Sequence, residues 1–401
     1  MSRTDCNEDK KDYADSIAQR LRDLAERLGE GTAIGEEVYS GMVFFSYKKL
    51  LSDAEGGAML ISELSEKGSQ IALIGGGSYD SATILAAASI LQRSLTVTSG
   101  ETGFIELTSR DGEKLLIELD RFRALTAGVL ARTAPPDPTP DGDGMKIIFK
   151  SPELSRCFSE SALISSSLTF SAIRRLTFRD TLISTIPEAT PEGLFGGIVA
   201  PIFCGGTAVH CRDAHSIIRA MKLSKPTVIF CESKIVRALR KKLVSLCSLP
   251  LHLSEKAQTA PRYTGSIRRC LGAAERALRR LLMTRIRAVL GGRLRSIISL
   301  GDLPDDCIGA LSFFGFECVM LLSTPRCIPA AFKFEGHRSL VWSLPLDTRA
   351  DLEKVGRGGI GRITLHSPRA CERSKSESVE DKLYGFITKN GSIFVLQNQA
   401  I

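Results

Sequence analysis

The segment that most constrains the fold runs from Gln70 to Thr98. Gln70 to Ile74 (QIALI) is a short apolar run that reads as a buried strand, and Gly75-Gly76-Gly77 follows it as a turn. Tyr79 to Leu91 is a helix of small and apolar residues, and Leu95 to Thr98 is a second apolar run. Strand, turn, helix and strand in that order make a βαβ unit, which requires a parallel sheet with a helix packed on it. The glycines do not meet G-x-G-x-x-G and no acid closes the second strand, so they read as a tight strand-to-helix turn rather than a dinucleotide site.

The pattern then repeats. Ala134 to Gly144 (APPDPTPDGDG) reads as a linker, with four prolines and two glycines. Beyond it, Lys146 to Phe149 starts a second series, with strands at Leu182–Thr185, Thr207–His210, Thr227–Phe230 and Ser296–Leu300. Helices are expected near Leu194–Phe203, Ala214–Leu223 and Lys234–Leu246, with another running to Phe314. Upstream, Asp15 to Leu28 is amphipathic, with Ile17, Leu21, Leu24 and Leu28 on one stripe, and a helix opening at Phe44 runs to Lys67. After Phe332 the pattern is strand-like, and Leu383 to Leu396 is a hairpin turning at Lys389-Asn390-Gly391. The expected fold is α/β: two α/β sheet lobes and a smaller β-rich lobe. The expected division is an N-terminal helix region over 1–40, a first α/β lobe over 41–133 and a linker over 134–145. A second α/β lobe over 146–332 and a β-rich lobe over 333–401 complete it. The strands at Gln70 and Leu95 are expected in one sheet, and those holding Ile147, Ile183, Val228 and Ile298 in another.

Composition excludes several classes. With 43% hydrophobic and 24% charged residues the chain is not disordered. No run approaches the ~20 apolar residues of a membrane helix, and Met1 to Lys11 lacks an apolar signal core, so a cytoplasmic protein is expected. Eleven cysteines are scattered from Cys6 to Cys371 without a CxxC pair and read as small buried residues. Cys204, His210, Cys211 and His215 cluster as metal ligands do, but alternate strand residues face opposite ways, so no metal site is expected. The serines between Ser159 and Ser167 lack a G-x-S-x-G elbow. Asp302, Asp305 and Asp306 read as caps of the following helix.

Charge is concentrated. Of the net +8, the segment Arg262 to Arg295 holds ten arginines, no lysine and one acid. Its readings are a solvated helix face with arginine stems on apolar neighbours, an anionic-membrane contact through Arg268, Arg269, Arg276, Arg279 and Arg280, and a nucleic-acid contact. Beyond Tyr263 no aromatic residue interleaves these arginines, which makes nucleic acid the last of the three.

The order of these segments resembles the N-terminal domain of the acyl-adenylate-forming superfamily, most of all the long-chain fatty acyl-CoA synthetases. FSYKKL is similar to the entry motif T-Y-x-E-L, and IPEATPEGLFGGIVAPIFCGGTAVH to P-L-x-H-x-x-G…L-x-x-G-A. LGGRLRSIISLGDLPDD resembles G-G-R-L-R…S-G-G-A-P-L, GRITLHSP resembles G-E-I-x-V-x-G-P, and GFITKNGSIFVL resembles G-Y-x-D-x-D-G-Y. The resemblance implies ATP and Mg²⁺ as cofactors only if the family activity survives. It places nucleotide-pocket equivalents at Ser151, Arg156, Gly301, Asp302, Ser323, Thr324, Arg326 and Leu383. Acyl-pocket equivalents fall at Thr190, Gly196 and Gly197.

The chemistry at those positions has changed. The family's T-S-G-[ST]-[ST]-G-x-P-K-G phosphate loop aligns with Lys150 to Glu160, which has no glycine and contains Pro152, Glu153 and Glu160. Arg326 falls where the family has its magnesium-binding glutamate, and Leu383 where it has its ribose-binding aspartate. Ile401 falls where the family hinge begins, which implies a missing lid domain. The expected function is an acyl-CoA synthetase-like pseudoenzyme that binds an acyl ligand or a protein partner. The alternatives are an active acid–CoA ligase with an atypical site or a separate lid protein, and an anionic-membrane-binding module. No catalytic or metal residue is assigned.

Overall fold

The computed structural model describes residues 16–38, 41–129, 144–152, 155–211, 217–246, 284, 286, 288–334, 341–353, 360–371, 383–388 and 390–398. Helix α1 (Ile17–Leu28) is capped by the Ser16 hydroxyl, which accepts from the Gln19 N–H at 3.1 Å, and its Ile17, Leu21 and Leu24 stripe is buried. Strands β1 (Thr32–Val38) and β2 (Gly41–Ser46) pair antiparallel, and Ser46 caps α2 (Tyr47–Leu64). Phe44, expected in the helix, lies in β2 because the capping serine follows it.

The βαβ unit forms as β3 (Ile71–Ile74), α3 (Ser78–Leu91) and β4 (Leu95–Thr98), with Ile71 opposite Leu95 in a parallel ladder. Next come β5 (Phe104–Thr108), β6 (Lys114–Glu118), α4 (Leu119–Val129), β7 (Lys146–Lys150), β8 (Ser155–Ser159) and α5 (Glu160–Arg174). After β9 (Thr181–Ser184) a π-helical segment, Gly193–Val199, runs into α6 (Ala200–Phe203). Strand β10 (Thr207–His210), α7 (Ile217–Ser224), β11 (Val228–Glu232), α8 (Ser233–Leu246), β12 (Ser296–Leu300), α9 (Asp305–Phe313), β13 (Glu317–Leu322) and β14 (Ala331–Phe334) follow. The last strands are β15 (Val341–Trp342), β16 (Arg349–Glu353), β17 (Gly361–His366), β18 (Leu383–Ile387) and β19 (Ile393–Asn398).

They form three sheets: six strands in the order β6-β5-β3-β4-β7-β8, eight in the order β14-β13-β12-β11-β9-β10-β1-β2, and five in the order β15-β19-β18-β17-β16. Ile183, Val228 and Ile298 share the eight-stranded sheet, apart from Ile71 and Leu95. Ile147 corrects the expectation. It pairs with Leu95, so β7 belongs to the first sheet. A parallel strand needs a long crossover to return beside its neighbour, and the proline-rich stretch lies within that return rather than between two sheets. Of the linker, residues 134–143 lie outside the described residues.

Helices α7, α8 and α9 cover one face of the large sheet through Ile217, Met221, Val236, Leu239, Leu243 and Leu311. The other face packs Leu182, Val228, Phe230 and Ile298 against Phe170 of α5. Among the described residues no helix is long and apolar enough to cross a membrane.

Candidate functional site

Strands β9, β11, β12 and β13 are parallel, so their carboxyl ends, Ser184, Glu232, Leu300 and Leu322, line one edge. Open α/β sheets bind ligands outside this edge. Helix and loop residues after the strands should therefore form the site.

The phosphate-loop position comes first. Strands β7 and β8 pair from Lys146 opposite Ser159 to Lys150 opposite Ser155, so only residues 151–154 connect them. Ser151 and Pro152 lie in this turn, and Glu153 lies outside the described residues. Arg156 is not in a loop at all. It stands on β8 opposite Phe149, and its guanidinium lies 3.3 Å from the Glu192 carboxylate, with both side chains largely buried. Glu160, the last residue of the stretch aligned with the phosphate loop, starts α5. Its buried carboxylate accepts from the Ile17 N–H at 2.9 Å, the Ser89 hydroxyl at 2.5 Å and the Gln92 amide at 3.2 Å, which ties α1 to α3 and α5.

Gly196 and Ser323 do meet. They line one cavity with Ser166, Phe170, Glu192, Phe195 and Phe230, but its volume is about 10 Å³. That is at or below the ~10–15 Å³ that one water needs. Phe170 and Phe230 pack edge to face with centroids 4.8 Å apart, and a Cβ built on Gly196 would lie 2.8 Å from the Phe170 ring and 3.0 Å from Phe230. The glycine leaves room for rings of the core, not for a ligand. Gly197 likewise admits the Ser184 hydroxyl, 2.8 Å from where its Cβ would be. Thr190 donates to the Pro187 carbonyl at 2.7 Å and accepts from the Gly193 N–H at 3.1 Å, so it caps the helical segment.

The remaining positions are engaged structurally. Gly301 (φ +89°) turns the chain after β12, its N–H donating to the Leu321 carbonyl at 2.8 Å. Asp302 accepts from the buried Lys333 ammonium at 2.7 Å, and that ammonium sits 5.0 Å from the Trp342 ring centroid. Thr324 is buried and closes its own turn, accepting from the Cys327 N–H at 3.0 Å. Arg326 is half-buried, and its carbonyl accepts from the Cys371 N–H at 2.7 Å. Leu383 is a core residue of the small sheet, opposite Ile363.

Other candidates resolve similarly. At the N-terminus of α3, Glu36 accepts from the Tyr79 N–H at 2.7 Å and Asp80 from the Gly77 N–H at 3.2 Å. Carboxylates thus fill the place a phosphate would take. His210 pairs with Glu188 at 3.2 Å, and among the described residues no three metal-ligating side chains converge. His215 lies outside the described residues. Asp305 and Asp306 occupy the first turn of α9, where they suit the helix dipole, and Asp306 pairs with Arg240 at 2.8 Å. Arg268, Arg269, Arg276, Arg279 and Arg280 all lie outside the described residues.

No family model and no curated protein matches this sequence. Solved structures do. VinN in complex with L-aspartate aligns with a TM-score of 0.70 at 12% identity, over 96% of this chain and 99% of that one. The N-terminal domain of FACL13 from Mycobacterium tuberculosis gives 0.66 at 13%, over 96% and 100%. MatB from Rhodopseudomonas palustris gives 0.64 at 17%, over 95% and 79%. The chain has the fold of these proteins, that of the FACL13 N-terminal domain among them.

Within that acyl-CoA synthetase-like fold, the residues at the carboxyl edge do not fit ATP and Mg²⁺. The connection at 151–154 is short and includes a proline without an N–H, the candidate cation Arg156 is paired to Glu192, and the cavity is filled by rings. Sequence reasoning missed Glu192, Phe170, Phe195 and Phe230. The phenylalanines carried a signal, because large rings beside Gly196-Gly197 are what such glycines accommodate.

Proposed function

We propose that this chain keeps the adenylating-enzyme fold but does not adenylate an acid on its own, and acts by binding another molecule. The four-residue connection between β7 and β8 is the observation that carries this reading. Adenylation places carboxylate oxygen against the α-phosphorus while charge grows on phosphate oxygens. The protein accelerates that step by positioning and by donors fixed around the charge. A four-residue turn containing proline cannot wrap a triphosphate with N–H groups. If each lost donor costs ~3–4 kcal/mol, two losses slow the step by a factor on the order of 10⁴ to 10⁶. Of the two binding roles expected, acyl ligand or protein partner, the ring-filled cavity favours the protein partner.

Acyl-adenylate formation tests this. Purified protein with Mg²⁺, ATP and a panel of fatty, aromatic and amino acids, L-aspartate included, should yield no acyl-AMP by mass spectrometry. Acyl-AMP that disappears on Ser151→Ala or Thr324→Val substitution would establish an acid–CoA ligase with an atypical site.

A further inference from the structure

The opposite, N-terminal edge of the large sheet carries a built surface. Three loops meet there: 175–180 before β9, 224–227 between α7 and β11, and 291–295 before β12. The Asp180 carboxylate bolts them together. It accepts from the Thr177 N–H at 2.9 Å, the Thr227 hydroxyl at 2.7 Å, and Arg295 Nε and Nη2 at 3.3 and 3.1 Å. Arg293 donates to the Arg179 carbonyl at 3.0 Å across the same junction.

These loops present apolar side chains outward among cations. Phe178 is 61% exposed and Leu223, in the last turn of α7, is 44% exposed. Arg175, Arg179, Lys225 and Arg293 are exposed on the same loops; of the acids at this edge, Asp180 pairs with Arg295, the exposed Glu317 with Arg174, and the exposed Glu30, before β1, lies 3.9 Å from Lys48. Residues 217–295 hold nineteen basic and three acidic residues, so the rest of the chain is net acidic against an overall +8.

The geometry points to this edge as a docking surface for an anionic lipid bilayer, with Phe178 and Leu223 entering the headgroup boundary and the four cations meeting lipid phosphates and carboxylates. Apolar tips ringed by cations are what an interfacial contact requires. A nucleic-acid platform would need an aromatic face open for stacking. The Arg179 guanidinium lies 5.3 Å from the Phe178 ring centroid, over one of its faces, and Leu223 cannot stack. The surface is independent of whether the opposite edge adenylates.

Cosedimentation of the full chain with phosphatidylcholine vesicles, with and without about one-third phosphatidylserine, tests it. Partitioning should need the anionic lipid and vanish near 1 M salt, where the Debye length is ~3 Å. Each cation near the surface is worth roughly a fivefold factor, so R175E/R179E/R293E should lose about 100-fold or more. R110E/K114E/R349E, an equal charge change at exposed sites on the other two sheets, should lose under about threefold. In a Phe178→Trp variant, emission should shift to the blue with anionic vesicles and be quenched by brominated acyl chains. Equal binding to both vesicle types, equal losses in both triple variants, or no spectral change on vesicle binding would each overturn the assignment. So would binding to a single-stranded RNA oligonucleotide but to no vesicle.

Discussion

The two edges of the eight-stranded sheet differ in what they expose. At the carboxyl edge, where the fold places its chemistry, side chains are turned inward: Phe170, Phe195 and Phe230 fill the cavity, and Arg156 is spent on Glu192. At the amino edge one buried carboxylate holds three loops and leaves cations and a phenylalanine facing solvent. A ligand site needs groups that are positioned yet unsatisfied; at the carboxyl edge Arg156 is paired, whereas the buried Ser166 and Thr185 hydroxyls have no hydrogen-bond partner among the described residues. The contrast teaches that two edges of one sheet can differ in how far their side chains are turned into the core.

Phe230 gives the largest effect with which to break this contrast. If the carboxyl edge is core, Phe230→Ala removes a fully buried ring in contact with Phe170 and should destabilise by about 3–5 kcal/mol in denaturant unfolding. A loss under about 1 kcal/mol would mark the cavity as a preformed pocket that tolerates emptying.

Asp180 comes next, and it sharpens the amino edge. Burial alone would raise its carboxyl, but the bonds from Arg295, Thr227 and Thr177 outweigh burial and hold it below the ordinary aspartate value. A depressed carboxyl stabilises the fold above the unfolded value near ~4 and loses that contribution as pH falls through the folded value. Asp180→Asn should therefore cost about 1–3 kcal/mol at neutral pH, and its stability should fall less steeply than wild type below pH ~4. Identical acid limbs would show that another group controls them.

The smallest effect separates stability from binding. Phe178→Ala should change unfolding free energy by less than about 0.5 kcal/mol, since the ring is mostly exposed. The same change should weaken attachment to anionic vesicles severalfold. A large stability loss would place Phe178 in the core.

Local patterns carried much of the fold in the sequence. The Ser296–Leu300 strand, the Gly75-Gly76-Gly77 turn and the Asn390-Gly391 hairpin each follow from nearest neighbours, and each appears where its residues demand. Strand β8 and helix α5 were not legible, because SRCFSESALISSS spreads its apolar residues thinly among serines. Only packing reveals Phe158, Ala162, Leu163 and Phe170 as their buried side. Ile147 was assigned to the wrong sheet since sheet membership is decided by a distant partner, here Leu95. The site suffered from the same non-locality. An ungapped reading of Lys150 to Glu160 spread a ten-residue loop over residues that are mostly strand, and the partner of Arg156 lies 36 positions away.

Affinity for Mg–ATP tests most directly whether the carboxyl edge has become core. Equilibrium dialysis of labelled ATP against the full chain should give a dissociation constant no tighter than about 1 mM, an interaction of some −4 kcal/mol. A micromolar constant, weakened tenfold or more by Ser151→Ala or Arg326→Ala, would show a working nucleotide site at the edge described here as filled.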